Sequence, residues 1–346
     1  MKALLKNKPE FGAEYVEIND PVPKAKEIMI KTKAAAICGT DLHHYEWDET
    51  AINFTKNFQV KFPLILGHEC SGEVVEIGSE VTNIKVGDKI ALETHIPCGI
   101  CYQCRIGNLH NCQNMGLYGT TYNGCFADYA IAPAKVAFVL PEGVSYEEGA
   151  LFEPSGVAMR GIEEATIQPG DTVLIYGCGP IGQFAIQMAN ICGAAKVIAI
   201  DINPFRINMA KELDVITINA QEEDPVEAVK VLTRDKGGVD IAIELTGAAS
   251  VYQNIFKMIR LEGRLVTIGH PSKEVAVNFT RDINQKGLAI KGIFGRRIWN
   301  TWQHLAELVV NEKIDLLKVV TNRYKLKQYE EAFKKAHEDS GKILFV

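Results

Sequence analysis

The chain has almost no surplus charge. Its 37 basic and 43 acidic residues leave a formal net charge of −6 over 346 residues, and neither sign gathers into a block or stripe, so nucleic acid is not an expected partner. Internal repeats and low-complexity linkers are also absent. The opening residues carry Lys2, Lys6 and Lys8, which leaves no apolar core for a secretory signal and predicts a cytoplasmic protein. One long stretch does lack charge entirely, the 24 residues from Thr172 to Ala195, and by length alone it would pass as a membrane span. Gly177, Gly179, Pro180 and Gly182 interrupt it, and Gln183, Gln187 and Asn190 recur at steps of four and three, like the polar stripe of a helix in contact with water. The stretch reads as strand, turn and helix, with no membrane partner.

What is present is the composition of a soluble globular chain, 47% hydrophobic and 23% charged, long enough for two ordinary domains. Nine cysteines is an odd number, and disulfides are rare in the cytosol, so metal ligation or burial must account for them. Cys70, Cys125, Cys178 and Cys192 lie in apolar or glycine-rich surroundings and are expected to be small buried hydrophobes. The first 150 residues look β-rich: Ile28 to Ala36 alternate, and Glu73–Ile77 and Lys89–Glu93 are short runs bounded by turns. From about residue 170 the rhythm changes to strands at Val173–Tyr176, Val197–Ile200, Val239–Glu244, Leu265–Ile268 and Leu288–Phe294, with a weaker one near Val215–Ile218. Helical stretches separate most of them, which predicts parallel βαβ units. The tail adds helices around Trp299–Asn311 and Leu326–Glu338 and a last strand, Lys342–Val346.

Gly177-Cys178-Gly179-Pro180-Ile181-Gly182 follows the β-branched run Thr172–Tyr176 and opens a helix, and Asp201 ends the next strand. In that context the glycine pattern is a dinucleotide fingerprint. Glycines let backbone amides approach a pyrophosphate at the positive end of a helix, and a carboxylate at Asp201 accepts from ribose hydroxyls. A 2′-phosphate would meet like charge there, so NAD is expected. Arg206 sits nearby, as a surface residue, a shelf beside the adenine or a partner for a 2′-phosphate. Ile268 and Gly269, at the end of a later strand, complete the expected cofactor contacts.

Cys98, Cys101, Cys104 and Cys112 place four thiolates within 15 residues. Four converging soft ligands suit tetrahedral zinc and leave no position open for a substrate, which predicts a structural site. A ferredoxin-like run begins the same way, but it has a shorter last gap and a proline after its fourth cysteine, where Gln113 stands here. Cys38 and His68 are linked by no informative spacing. Their polar company singles them out: Thr40, Asp41 and His43 follow the cysteine, and Glu69 follows the histidine.

In Ala36-Ile37-Cys38-Gly39-Thr40-Asp41-Leu42-His43, Tyr45-Glu46-Trp47, Gly67-His68-Glu69, Glu93-Thr94-His95-Ile96, the cysteine lobe, Gly295-Arg296 and Thr301-Trp302, the chain resembles the zinc-containing medium-chain dehydrogenases over nearly its whole length. Among them it is most similar to the threonine dehydrogenases. The resemblance implies an α/β protein, with a GroES-like β-rich catalytic domain over residues 1–155 and 298–346 carrying two zinc sites and a doubly wound Rossmann domain over 156–297 binding NAD. It implies that Cys38, His68 and Glu69 bind a catalytic zinc, with Glu153 as an alternative ligand, that Thr40 and His43 relay a proton, and that His95 faces a small secondary alcohol. A homotetramer is the implied assembly. Two departures touch the substrate: the loop from Glu46 to Pro63 is longer than in typical threonine enzymes, and Ser155-Gly156-Val157-Ala158-Met159-Arg160 replaces a Gly-Asn-Ala string. A polyol, sugar-alcohol or butanediol dehydrogenase is therefore the alternative, and a zinc- and NAD-binding protein without turnover is the alternative of another class.

Overall fold

In a computed structural model describing all 346 residues, the alternation from Ile28 to Ala36 becomes the ten-residue strand Glu27–Ala36, with Ile28 and Ile30 fully buried. The chain divides into two compact units, residues 1–154 with 297–346 and residues 155–296. The boundary falls inside one helix, Tyr146–Ala165.

In the first unit Glu27–Ala36 is central to a seven-stranded sheet. Its path runs Ala137–Val139, Lys89–Leu92, Glu69–Ile77, Glu27–Ala36, Lys342–Phe345, Val320–Tyr324, and Tyr129–Pro133 also pairs with the central strand. Leu4, Ile30, Leu66, Phe126, Phe333 and Phe345 belong to its core, each buried side chain contributing about 1.5–3 kcal/mol over its exposed state. Register decides what meets at the sheet's end. Ala36 lies opposite Glu69 on one side and Leu344 on the other, and the Ile37 amide donates to the Ile343 carbonyl at 3.0 Å. Three stretches remote in sequence, Ile37-Cys38, His68-Glu69 and Lys342, are thereby brought to one place.

The stretch from Glu46 to Pro63, read from sequence as a long loop, contains a helix, Glu49–Phe58. Asp48 caps it, its carboxylate accepting from the Ala51 amide at 2.9 Å, as a short acidic side chain does at a helix start. The two expected helices of the tail are Asn300–Val310 and Tyr329–His337.

The second unit contains a six-stranded sheet, parallel throughout, in the order Ile216–Asn219, Lys196–Asp201, Thr172–Tyr176, Val239–Glu244, Ile259–Thr267, Ala289–Gly292. That order reverses direction at Thr172–Tyr176, as in doubly wound nucleotide-binding sheets. The charge-free stretch is the strand Thr172–Tyr176 and the helix Pro180–Ile191 joined by the glycine turn. No helix of the chain is long and apolar enough to cross a membrane. One expectation about it fails. Gln183 is 2% exposed instead of facing water, because its amide donates to the carbonyls of Cys178 and Arg206 at 2.8 and 3.0 Å, so a polar group is buried satisfied. Gln187 is half-buried and Asn190 exposed. Cys70, Cys125 and Cys178 are buried as expected, but Cys192 is exposed, since it stands at the end of that helix where the chain turns off through Gly193.

The turn admits no side chain at two points. Gly177 has φ of 106°, and a Cβ on Gly182 would stand 2.0 Å from the Gly177 carbonyl oxygen. Gly182→Ala is therefore expected to destabilise the second unit by about 1–3 kcal/mol and to weaken dinucleotide binding. Thermal unfolding and fluorescence titration with NADH measure both, and an unchanged melting temperature with unchanged NADH affinity would refute the close-approach account.

Candidate active site and metal centres

Helix Gly39–Glu46 begins directly after Cys38, which is its N-cap residue. Asp41 holds that corner. Buried to 1% exposure, its carboxylate accepts from the Cys38 amide at 2.9 Å and the Gly67 amide at 3.2 Å, and it lies 3.6 Å from His68 Nδ1. With Nδ1 turned to a carboxylate, the remaining ring nitrogen is the one free to ligate. One ligand atom from each of Cys38, His68 and Glu69 falls within 4.8 Å of the others. Burial works against a charged His68, yet Asp41 and Cys38 outweigh it and hold its pKa well above the ordinary imidazole value. The pocket favours positive charge. A cysteine sulfur, an imidazole and a carboxylate form a donor set that fits zinc with a position left open.

Glu69 is itself held. Lys342, 4% exposed, donates to Glu69 Oε1 at 2.6 Å, to Glu69 Oε2 and to the Ile37 carbonyl at 3.0 Å. Burial disfavours the ammonium, but Glu69, Cys38 and Glu153 together raise its pKa, so it stays charged. Glu153, also buried, accepts from the Thr94 hydroxyl at 2.7 Å.

Thr40 Oγ1 lies 3.9 Å from Cys38 Sγ. His43, three residues further along the same helix and so on the same face, has Nδ1 2.6 Å from Asp48 Oδ2, and its side chain is 43% exposed. Neither residue caps the helix. His95 is buried in the short strand His95–Ile96, paired with Gly116–Leu117. Its amide donates to Glu93 Oε1 at 2.9 Å, and Trp302 Nε1 donates to Glu93 Oε2 at 2.7 Å. The buried indole thus anchors the turn that presents Thr94 and His95.

The cysteine lobe brings the sulfurs of Cys98, Cys101, Cys104 and Cys112 within 4.8 Å of one another. Cys101 and Cys112 Sγ are 3.9 Å apart, far beyond a disulfide and close to the tetrahedral edge of about 3.8 Å that zinc–sulfur bonds of about 2.3 Å produce. Backbone amides point at the sulfurs: Cys98 N and Asn114 N at Cys112 Sγ (3.2 and 3.3 Å), Gln113 N at Cys101 Sγ (3.4 Å). The amides of Ile100 and Cys101 pull the Cys98 thiol down to about 6, whereas burial pushes Cys104 up to about 12. Four thiols this close need a cation to ionise together.

In the second unit the expected cofactor residues lie past the carboxyl ends of neighbouring parallel strands. Pro180 and Ile181 start the helix after the glycine turn, and Asp201 closes its strand. Asp201 Oδ2 accepts from the Cys178 amide at 2.6 Å, and Oδ1 from Ile202 and Asn203 at 2.7 and 2.9 Å. A Cβ on Gly179 would meet nothing nearer than Arg206 Nη1 at 3.9 Å, so the turn is open to a ligand with a guanidinium at its side. Ile268 is buried and Gly269 donates to the Glu244 carbonyl at 3.1 Å.

Reading the sequence residue by residue did not find Lys342, Asp48 or the anchoring role of Trp302. Asp48 carried a signal, an acidic residue before a helix-compatible run. Lys342 carried none, because only sheet register puts it beside Glu69.

Two family models match in order: the alcohol dehydrogenase GroES-like domain over residues 24–142 and the zinc-binding dehydrogenase over 180–311. The L-threonine 3-dehydrogenase of Thermococcus kodakarensis is 40% identical over 348 aligned residues, spanning 100% of this chain and 97% of that protein. The solved 2R,3R-butanediol dehydrogenase of Bacillus subtilis superposes with a TM-score of 0.88 at 30% identity, with 99% of each chain covered. A short chain alcohol dehydrogenase from E. coli, solved in complex with NADH, superposes with a TM-score of 0.90 at 26% identity, covering 100% and 99%. With a full-length relative at that identity, and both domain models in sequence, the chain belongs to the zinc-binding alcohol dehydrogenases and is an enzyme of that family.

Proposed function

We propose that the enzyme oxidises L-threonine at its secondary hydroxyl, giving 2-amino-3-oxobutanoate, NADH and a proton from threonine and NAD. The observation that carries this reading is the convergence of Cys38, His68 and Glu69 donor atoms within 4.8 Å, with Thr40 and His43 on the helix that Cys38 caps. Zinc held by these residues would lower the pKa of an alcohol hydroxyl, and NAD held by the second unit would supply the acceptor for the hydride of the carbinol carbon. The chain's own groups do the rest. Thr40 receives the hydroxyl proton. His43, with Nδ1 donating to Asp48, keeps Nε2 as the acceptor that takes the proton on, and its partial exposure opens the route to water. Glu93, fixed by Trp302, sets His95 as a wall of the substrate site. Asp201 and the turn from Gly177 to Gly182 receive NAD, with Arg206 at the side of the adenosine.

The similarity to a threonine enzyme along the full chain supports threonine over a plain alcohol. The departure at Ser155–Arg160 and the likeness to a butanediol dehydrogenase keep a diol or polyol as the second reading. A cytoplasmic homotetramer with two zinc ions per chain accords with the family resemblance.

The two metal sites are expected to separate by mutation. Cys38→Ser abolishes turnover with folding largely intact, whereas Cys104→Ser lowers stability and soluble yield. Metal analysis after extensive chelation should return two zinc ions per active chain. One ion, or iron with visible absorbance, would refute the assignment.

Asp201→Ser removes the charge that opposes a 2′-phosphate, so it should narrow the ratio of kcat/KM for NAD over NADP. Equal use of both cofactors by the unmodified enzyme would count against Asp201 as the discriminator.

A site that recognises an amino acid must pair its carboxylate and ammonium, and leaving such partners unmatched costs a plain alcohol about 10⁴–10⁵ in specificity. Side-by-side assays of L-threonine, 2,3-butanediol and a hexitol should give L-threonine the highest kcat/KM. A higher value for either rival would shift the assignment to the second reading.

A further inference from the structure

The last strand of the chain contributes one side chain to the metal pocket, and it is a cation. Lys342 spends its three N–H groups on the two oxygens of Glu69 and on the Ile37 carbonyl. Lysine and glutamate are both nine-tenths buried or more, so solvent does not screen the pair. A carboxylate whose two oxygens each carry a hydrogen bond from an ammonium has less electron density to offer a metal. A positive charge at that distance also disfavours a second cation in the same pocket. Glu153, the other carboxylate of the pocket, accepts from the neutral Thr94 hydroxyl.

We propose that Lys342 is a positioning residue that competes with the catalytic metal for Glu69, keeping that carboxylate an exchangeable ligand instead of a permanent one. The proposal rests on the assignment of Cys38 and His68 as ligands of that metal. A lysine that only braces the packing predicts the opposite response to its removal, and one that acts by its charge alone predicts slower metal loss with the d–d bands unchanged, which would overturn the competition for Glu69. Deleting a structural partner loosens the pocket and speeds metal loss, whereas deleting a competitor frees Glu69 to bind and slows it.

The test uses the full-length enzyme with cobalt(II) in the Cys38 site, comparing Lys342→Met and Lys342→Gln with the unmodified protein. The readouts are the rate of cobalt loss to a chelator and the visible spectrum. Both variants should release cobalt more slowly, on the order of tenfold, the scale of other changes just outside a metal's ligand set. Their d–d bands should weaken as an added oxygen raises the coordination number. In Glu69→Gln/Lys342→Met the slowing should vanish. That double variant and Lys342→Gln also cover the case in which Lys342→Met fails to fold around an unpaired carboxylate. Unchanged or faster release in the single variants would overturn the role given to Lys342. Absence of a thiolate-to-cobalt band in the unmodified enzyme would instead overturn the ligand assignment beneath it.

Discussion

Buried anions have to be matched by cations, and the first unit is organised around that requirement. The buried carboxyl groups of Asp41, Glu69 and Glu153 gather at one end of a sheet beside Cys38, and taking a carboxylate charge out of water costs on the order of several kcal/mol. Lys342 offsets part of this and His68 beside Asp41 another part, which leaves a pocket still short of positive charge. The backbone is shaped to hold the arrangement. A Cβ on Gly124 would lie 2.0 Å, and one on Gly119 2.4 Å, from the carbonyl oxygen of Gly67, the residue before His68. The main chain can pack this tightly behind the histidine only because those side chains are missing.

The two candidate metal centres meet the same need by different physics. Around Cys38 the donors are oriented by other side chains: Asp41 on His68, Lys342 on Glu69, Thr94 on Glu153. The geometry is fixed by the fold. In the lobe the sulfurs are oriented by backbone amides, and the surrounding side chains provide little core, with Ile100, Tyr102 and Ile106 at 78, 66 and 52% exposed. Such a segment depends on its ion for shape. On the two-zinc reading, loss of the first metal would leave the structure in place, whereas loss of the second would not.

Local pattern was enough for the parts whose physics is local. The glycine turn, its preceding strand and the acidic end of the next strand are set by neighbours in sequence, and so is the spacing of the lobe cysteines. Gln183 was misread because periodicity reports which face a residue occupies and not whether a carbonyl waits there. Cys192 was misread for a similar reason, since an apolar context does not say on which side of a helix end the chain turns. The stretch from Glu46 to Pro63 held a helix start at Asp48 that composition concealed. Lys342 is the limiting case. Its partner is 273 residues away, and nothing in Gly341-Lys342-Ile343 distinguishes it from a surface lysine until strand Lys342–Phe345 is laid against Glu27–Ala36.

Asp201 shows how recognition and stability share one group. A carboxylate offers about four lone-pair sites, and the amides of Cys178, Ile202 and Asn203 take three of them here. The bond to Cys178 ties the acidic strand end to the glycine turn itself, so the same side chain that would face a ribose also fixes the loop that would face the pyrophosphate. About one acceptor site is left for a ribose hydroxyl. On the NAD reading, discrimination against a 2′-phosphate then comes from a charge the turn already needs for its own shape. Removing that charge alters the phosphate cradle together with the ribose contact.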